Sequence, residues 1–430
     1  MKNNILYGPQ TKASLENFPF NYHRVMLEFI YAMVMIKKAA AVANFKAGKL
    51  DKKLADKIIS ACDEILKGKY DDQFVVSAHH GGAGTSVNMN VNEVIGTLAN
   101  AHPNDHVNAS QSTNDVNPSA LKIASIKLTE KLLKNLDYLI SVFDEKSKEY
   151  QDVRKLARTH IQDAMPTTLG AEFASYRDIL IRDRKRIGDS LEYFYELSMG
   201  GTAIGNKINA PEKYITEFYK EIRQVTGINK LTPADNMMSQ TSSDTDFCFL
   251  SSAVNILCLD ISKMAVDFRF MSSGPKGGIG EISFKELQPG SSIMPGKVNP
   301  VIAETMNQTY YIISGKNLSI HQAAENSHLE LGIMLPVIAD SLIVILKIVE
   351  TALKLFADRG IKNIIVNRER CLEHLEKSTA YSTLLTPRLG YDAVSKIVKE
   401  SVKTGRTMRE IILKKKLLTE TELEKLLVLK

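Results

Sequence analysis

In KLDKKLADKIISACDEILKG (49–68), Leu54, Ile58, Ile59, Cys62, Ile65 and Leu66 recur at intervals of three and four and fall on one stripe. That spacing predicts an amphipathic helix. Two longer runs, TDFCFLSSAVNILCLDISKMAVDFRFM (245–271) and PVIADSLIVILKIVETALKLFA (336–357), predict helices that are apolar on more than one face. Such helices need neighbours on several sides. Segments 119–149 and 170–198 predict helices of the same kind with more charge. Strand signals are few and short. TGRTMREIILKKKLLTETELEKLL, near the end, reads as two short helices, with Thr419 and Glu422 suited to a capping box that opens the second. The pattern predicts an all-α protein of three helical domains: an N-terminal one over 1–108, a central long-helix bundle over 109–362, and a small C-terminal one over 363–430.

Bulk properties narrow the function classes. A chain of 430 residues with 44% hydrophobic content can bury a large core. The balance of 55 basic and 49 acidic residues gives a mild +6, and no basic stripe is interleaved with aromatics, so no nucleic-acid partner is expected. Cys62, Cys248, Cys258 and Cys371 lack CxxC spacing and read as buried thiols of a reducing compartment. MKNNILYGPQ has no apolar signal core. The apolar stretch MLEFIYAMVMIKKAAAVA is interrupted by Lys37 and Lys38, short of the ~20 residues that span a bilayer. A cytoplasmic protein with no membrane partner is expected. No GxGxxG follows a strand, which excludes a dinucleotide fold.

Four polar islands break the helical text: HHGGAGTSVNMNVNEV (79–94), HPNDHVNASQSTNDVNPSA (102–120), ARTHIQDAMPTTLG (157–170) and GSSIMPGKVNP (290–300). All are dense in Ser, Thr, Asn, His and Gly, which donate hydrogen bonds without adding negative charge. That chemistry suits carboxylate oxygens. Any one island also reads as a helix junction, because Ser, Thr and Asn cap helices and make turns. Adjacent His79 and His80 point apart on most backbones, and Pro103 and Asn104 separate His102 from His106, so no metal site is expected.

Together the islands resemble the conserved blocks of the fumarase/aspartase superfamily, over nearly the whole chain. GSSIMPGKVNP matches that superfamily's signature loop without a mismatch, and the C-terminal segment is similar to the small final domain of the same branch. The resemblance implies an all-helical fold whose central helices associate with those of three other subunits. The partner expectations are therefore a homotetramer with shared active sites and a small dicarboxylate substrate, with no cofactor. The implied reaction is a reversible anti elimination giving fumarate, through a carbanion whose charge spreads into a carboxylate as a dianionic aci-form. By similarity, Ser291 is the base, its oxyanion stabilised by backbone N–H groups of the glycine-rich loop. Lys297 and Asn299 bind the carboxylate that takes up charge. Thr85, Ser112, Thr113 and Asn114 bind substrate carboxylates, and Thr159 and His160 complete the pocket. Glu304 is the implied acidic partner of His160. Ser292 and Glu304 each also admit a purely structural reading.

The motifs divide over the leaving group. GGAGTS, SQSTNDV, NPVIAETMNQ, QTSSDTDF (240–247) and AAENSHLELGIMLPVI (323–338) look like the aspartase side, with ammonia leaving from L-aspartate. HPNDHV (102–107) and MGGTAIG (199–205) look like the fumarase side, with water leaving from L-malate; His102, Asn104 and Asp105 resemble a second, non-catalytic anion site. Two segments depart from both. GNKIN (205–209) stands where GTGLN or GTGIN is usual, and LGIMLPVI (331–338) where LNVMEPVI is usual, with loss of an Asn and a Glu. A tetramer kept only for binding would be expected to have lost Ser291 or Lys297, and both are present.

Overall fold

The computed structural model describes residues 5–426. The MKNN of the N-terminal reading and Leu427 of the last expected helix lie outside the described residues. The long predicted helices are present. The run at 245–271 is the helix Thr245–Met271, and that at 336–357 is Leu335–Leu355 followed by a π-helical turn, Phe356–Gly360. The segment at 49–68 is the helix Lys52–Leu66, opened by Asp51, whose side chain accepts the Leu54 N–H at 2.9 Å. The helix expected from 119 begins at Thr113 and runs to Glu149 through Pro118. The helix expected over 170–198 is Leu169–Leu191, closed by the 3-10 turn Glu192–Phe194. Among the described residues, strands occur only as three two-stranded pairs, so the class is all-α.

The chain divides into two compact units, each assembled from separate stretches. The first comprises residues 1–134, 183–258 and 309–351. In it the helix Leu27–Lys46 packs on Lys52–Leu66 and on Glu212–Thr226. Ala39, Ala40 and Ala43 are fully buried, which lets these backbones approach closely. Glu93 anchors the N-terminal segment, accepting from the backbone N–H groups of Gly8, Gln10 and Thr11 and from the Thr11 hydroxyl at 2.6–3.1 Å. Lys37, fully buried, donates to Asn108 Oδ1 (2.8 Å) and Gln111 Oε1 (3.0 Å); burial pulls its amine down to about 7.

The second unit comprises residues 135–182, 259–308 and 352–430. Its core centres on Phe143, Phe173, Tyr176, Phe268 and Phe356, with ring centroids 5.4–6.4 Å apart. The third polar island is a β-hairpin here rather than a loop, with Arg154–Thr159 antiparallel to Gln162–Thr168. The C-terminal helices Met408–Lys414 and Glu420–Leu426 pack with Leu156, Leu375 and Tyr381 in one apolar cluster. The expected capping box is present. The Glu422 N–H donates to Thr419 Oγ1 at 3.3 Å, and the Thr419 N–H donates to Glu422 Oε2 at 2.9 Å. Thr407 and Glu410 form another.

All four cysteines are free; Cys62, Cys258 and Cys371 are buried, but Cys248 is only half-buried. Burial pushes the Cys62 and Cys371 thiols up to about 12, so they are not nucleophiles at neutral pH. Thr245–Met271 is long and apolar enough to cross a membrane by length and composition, and more than half of its most apolar stretch is buried in the fold.

Candidate active site

The 290–300 loop is built around its first two residues. Ser291 Oγ accepts hydrogen bonds from the backbone N–H groups of Ile293 (3.2 Å) and Met294 (3.1 Å). Two donors converging on one hydroxyl oxygen favour negative charge there, as an alkoxide requires. Gly290 has no room for a side chain: a Cβ would stand 2.0 Å from the Lys297 carbonyl oxygen. Asn299 Nδ2 donates to the Gly290 carbonyl at 2.8 Å and ties the neck of the loop. Its second amide hydrogen has no partner among the described residues. Gly296 turns the tip with a φ of +77°. Lys297 is exposed, as are Ile293, Met294 and Val298, so the tip presents both charge and apolar surface.

In the same unit, Thr159 and His160 lie at the hairpin tip. Thr159 pairs with Gln162, and the two residues between them, His160 and Ile161, have φ of +56° and +63°. Positive φ at both positions is the geometry of a tight hairpin turn. It aims the imidazole outward. The hairpin is held from below by Glu281, which has no exposed surface. Its Oε1 lies 2.8 Å from both Arg158 Nη2 and His374 Nδ1, and its Oε2 lies 3.3 Å from Lys155 Nζ. Burial raises the Glu281 carboxyl, but Arg158, Lys155 and His374 outweigh it and leave the group below its usual range. Glu304 is exposed in the first turn of Val301–Glu325 and accepts from Gln308 Nε2 at 3.0 Å. No hydrogen bond or ion pair joins His160 and Glu304 among the described residues.

The first unit gathers the other expected residues. Thr85 opens the helix Thr85–Ala99 immediately after Gly84, whose φ is +86°. A Cβ at Gly84 would stand 2.0 Å from Asn117 Nδ2, so this glycine lets the first island pack on the helix of the second. Ser112 Oγ accepts from the Asn114 N–H (3.2 Å), Thr113 Oγ1 accepts from Asn88 Nδ2 (3.2 Å), and Asn114 Nδ2 donates to the Ala203 carbonyl (2.8 Å). The sequence reading missed Asp115, which is fully buried and organises the group. Its carboxylate accepts from the N–H groups of Ser112 (2.9 Å), Gly200 (3.1 Å) and Thr202 (3.0 Å), drawing MGGTA against SQSTND. Burial pushes its carboxyl up to about 7, against those hydrogen bonds and the charge of Lys37. The Ser-x-x-Asp spacing of 112–115 was the available signal.

Thr113 and Asn114 line a small hollow with Ala83, Asp244, Gly332 and Leu335, with room for about one water-sized group. Residues of the aspartase-like QTSSDTDF and of the divergent LGIMLPVI thus reach the second island. His102, Asn104 and Asp105 lie apart from this hollow's lining, exposed at the π-helical turn Pro103–Val107. His102 Nδ1 accepts the Asp105 N–H at 3.0 Å and lies 3.1 Å from the Asp105 carboxylate.

Known proteins align along the length of this chain. Residues 1–315 match the family described as Lyase, and residues 382–430 the one described as Fumarase C C-terminus. The aspartate ammonia-lyase of Bacillus subtilis (strain 168) is 42% identical over 98% of this chain and 91% of its own length. That of Escherichia coli (strain K12) is 39% identical over 97% of this chain and 90% of its own. A fumarate lyase:delta crystallin from Brucella melitensis bound to cobalt superposes with a TM-score of 0.94 at 37% identity, covering 99% of this chain and 95% of that one. A recombinant class II fumarase from Schistosoma mansoni superposes with a TM-score of 0.92 at 32% identity, covering 100% and 95%.

Proposed function

The chain belongs to the lyase family of the fumarases and aspartases, and from that premise we propose that it is an aspartate ammonia-lyase, releasing ammonia from L-aspartate to give fumarate. Ser291 removes the Cβ proton. The observation that carries this role is the pair of backbone N–H groups on its hydroxyl oxygen, 3.1 and 3.2 Å away. They lower the cost of the alkoxide that must form before a carbon acid can be deprotonated.

Lys297 and Asn299 receive the carboxylate that becomes the aci-dianion. Thr85, Ser112, Thr113 and Asn114 hold the substrate carboxylates, with Thr159 and His160 completing the pocket and Glu304 pairing with His160. The exposed apolar tip of the 290s loop folds over the substrate and excludes water, which strengthens every charge interaction beneath it. Asp115 is a positioning residue: it shapes the backbone of the second island and of MGGTA without touching substrate.

The working enzyme is a homotetramer with active sites shared between subunits. Two observations support this. Thr245–Met271 leaves Phe249, Ile256, Leu259 and Val266 at 40–51% exposure, and Val301–Glu325 leaves Tyr311, Ile312 and Leu318 at 50–64%. Apolar stripes on long helices call for partner helices. Among the described residues, no hydrogen bond or ion pair joins His160 and Glu304 within one chain. A cytoplasmic location belongs to the same proposal. So does an anion site at His102, Asn104 and Asp105.

Aspartate is favoured over malate by the ammonia-lyase relatives, which match nearly the whole chain, and by the aspartase-like QTSSDTDF in the lining of the hollow. HPNDHV, MGGTAIG and the likeness to a class II fumarase keep fumarate hydratase as the second reading. Fumarate formation followed by ultraviolet absorbance, from L-aspartate and L-malate in parallel, separates them. Turnover of L-aspartate alone is expected. Turnover of L-malate alone would make the chain a hydratase.

A further inference from the structure

Asp244 is a buried carboxylate that forms no ion pair among the described residues. It is 4% exposed and lies between the helices Met237–Ser242 and Thr245–Met271. Its Oδ2 accepts from Ser327 Oγ at 3.2 Å, the one hydrogen bond to its side chain among the described residues. The nearby cation, Lys122, is already engaged. Its Nζ bonds Asp246 Oδ2 (2.7 Å), Gln240 Oε1 (2.6 Å) and the carbonyls of Tyr193 and Glu196 (2.9 and 3.0 Å). Burial and the charge of Asp246 push the Asp244 carboxyl up to about 6, against Ser327 and Lys122. A buried carboxylate in that condition gains from any cation that reaches it.

The space around it is specific to this chain. A Cβ at Gly332 would stand 2.3 Å from Asp244 Oδ2 and 2.8 Å from Cγ and Oδ1. The Asn that is usual at this position therefore cannot coexist with the carboxylate where it stands. Leu335, in place of the usual Glu, lines the same hollow and leaves Asp244 as its acidic group. Asn117, 1% exposed, lines the hollow too, and its Oδ1 has no hydrogen-bond partner among the described residues. The Asp244 carboxylate, with a single hydrogen bond, and the unpartnered Asn117 Oδ1 thus border a hollow that also contains Thr113 and Asn114, and both can take a further donor.

We propose that Asp244 receives the ammonium group of the substrate, and that the hollow it shares with Thr113, Asn114 and Asn117 holds the amino end of L-aspartate. This rests on the ammonia-lyase reading and gives its amine preference a physical source. An ammonium offers charge and three N–H donors. The hydroxyl of L-malate offers one O–H and no charge, so the carboxylate favours the amine. Thr113 and Asn114 take the adjacent carboxylate from the other side.

The test compares binding of L-aspartate with that of succinate, the same dicarboxylate without the amine, in the wild type and in Asp244→Asn. The variant is expected to raise the Kd for L-aspartate about tenfold, the loss of one charge-assisted contact, and to leave succinate within about twofold. Equal changes for both ligands, or none for either, would overturn the proposal. Gly332→Ala provides a second variant should Asp244→Asn not fold. Its methyl displaces the carboxylate, so it must shift the aspartate-to-succinate ratio in the same direction; an unchanged ratio would also overturn the proposal. A wild type that makes no fumarate from L-aspartate would refute the ammonia-lyase reading by itself, and the binding ratio would still decide whether Asp244 holds an amine.

Discussion

At the scale of single residues, the account rests on short-range geometry that leaves little freedom. Gly290 stands against the Lys297 carbonyl, and Asn299 closes the loop neck. Gly290→Ala must open that neck and displace Ser291 from its two N–H donors. A displacement of about 1 Å in a catalytic group costs on the order of 100-fold in rate. Gly290→Ala is therefore expected to lower kcat by about that factor, with the melting temperature near that of the wild type because the loop is exposed. A kcat within threefold of wild type, read as about 0.65 kcal/mol of barrier, would mean the neck does not position the base. Ser291, Lys297 and Asn299 were legible because the loop matches a signature residue for residue. Asp115 and Asp244 were not. Both are buried, a property of the folded chain that a single acidic letter does not record; for Asp115 the Ser-x-x-Asp spacing was the one local signal.

At the scale of elements, the long helices were the most legible part. Thr245–Met271 has no proline or glycine and is apolar on several faces, so pattern and length agree. The hairpin at 154–168 escaped the reading for two reasons. Most of the Gln162–Thr168 strand is not buried, so it shows no alternation of apolar and polar positions. Its turn is made by His160 and Ile161, neither a usual turn former, although both adopt positive φ. Such a turn is maintained by its surroundings, and Glu281 supplies them through Arg158, Lys155 and His374. Removing one partner of a buried ionic cluster costs on the order of 3 kcal/mol. Glu281→Gln should lower stability to denaturant by that order. The pH dependence follows in sign. The Glu281 pKa lies below its unfolded value of 4.5, so its contribution is present above that pH and is lost as pH falls through the folded value. Wild type and Glu281→Gln should converge in stability as pH drops below about 4.5. A stability difference that persists unchanged to pH 3 would contradict the assignment.

At the scale of the whole molecule, the proposed substrate-binding and catalytic residues fall on two compact units and two long helices carry exposed apolar stripes, which the proposed tetramer would cover. Light scattering should give four times the 47.9 kDa chain mass. Sharing of sites has a sharper signature. Ser291→Ala and His160→Ala are each expected to be inactive alone. Subunits exchanged between them at equal ratio should recover on the order of a quarter of the sites, because random pairing unites an intact Ser291 with an intact His160 at that frequency. No recovery after verified exchange would place both residues of each site on one chain. The sequence suggests a three-domain division at 108 and 362, whereas the chain divides into two compact units that each draw on three separated stretches, which only long-range packing reveals. The most direct measurement is the initial rate of fumarate formation from L-aspartate by the wild type and by Ser291→Ala, side by side at equal tetramer concentration. The account expects steady turnover by the wild type and a loss of at least ~1,000-fold in the variant with its assembly intact. Turnover retained in Ser291→Ala, or none from L-aspartate in the wild type, would contradict it.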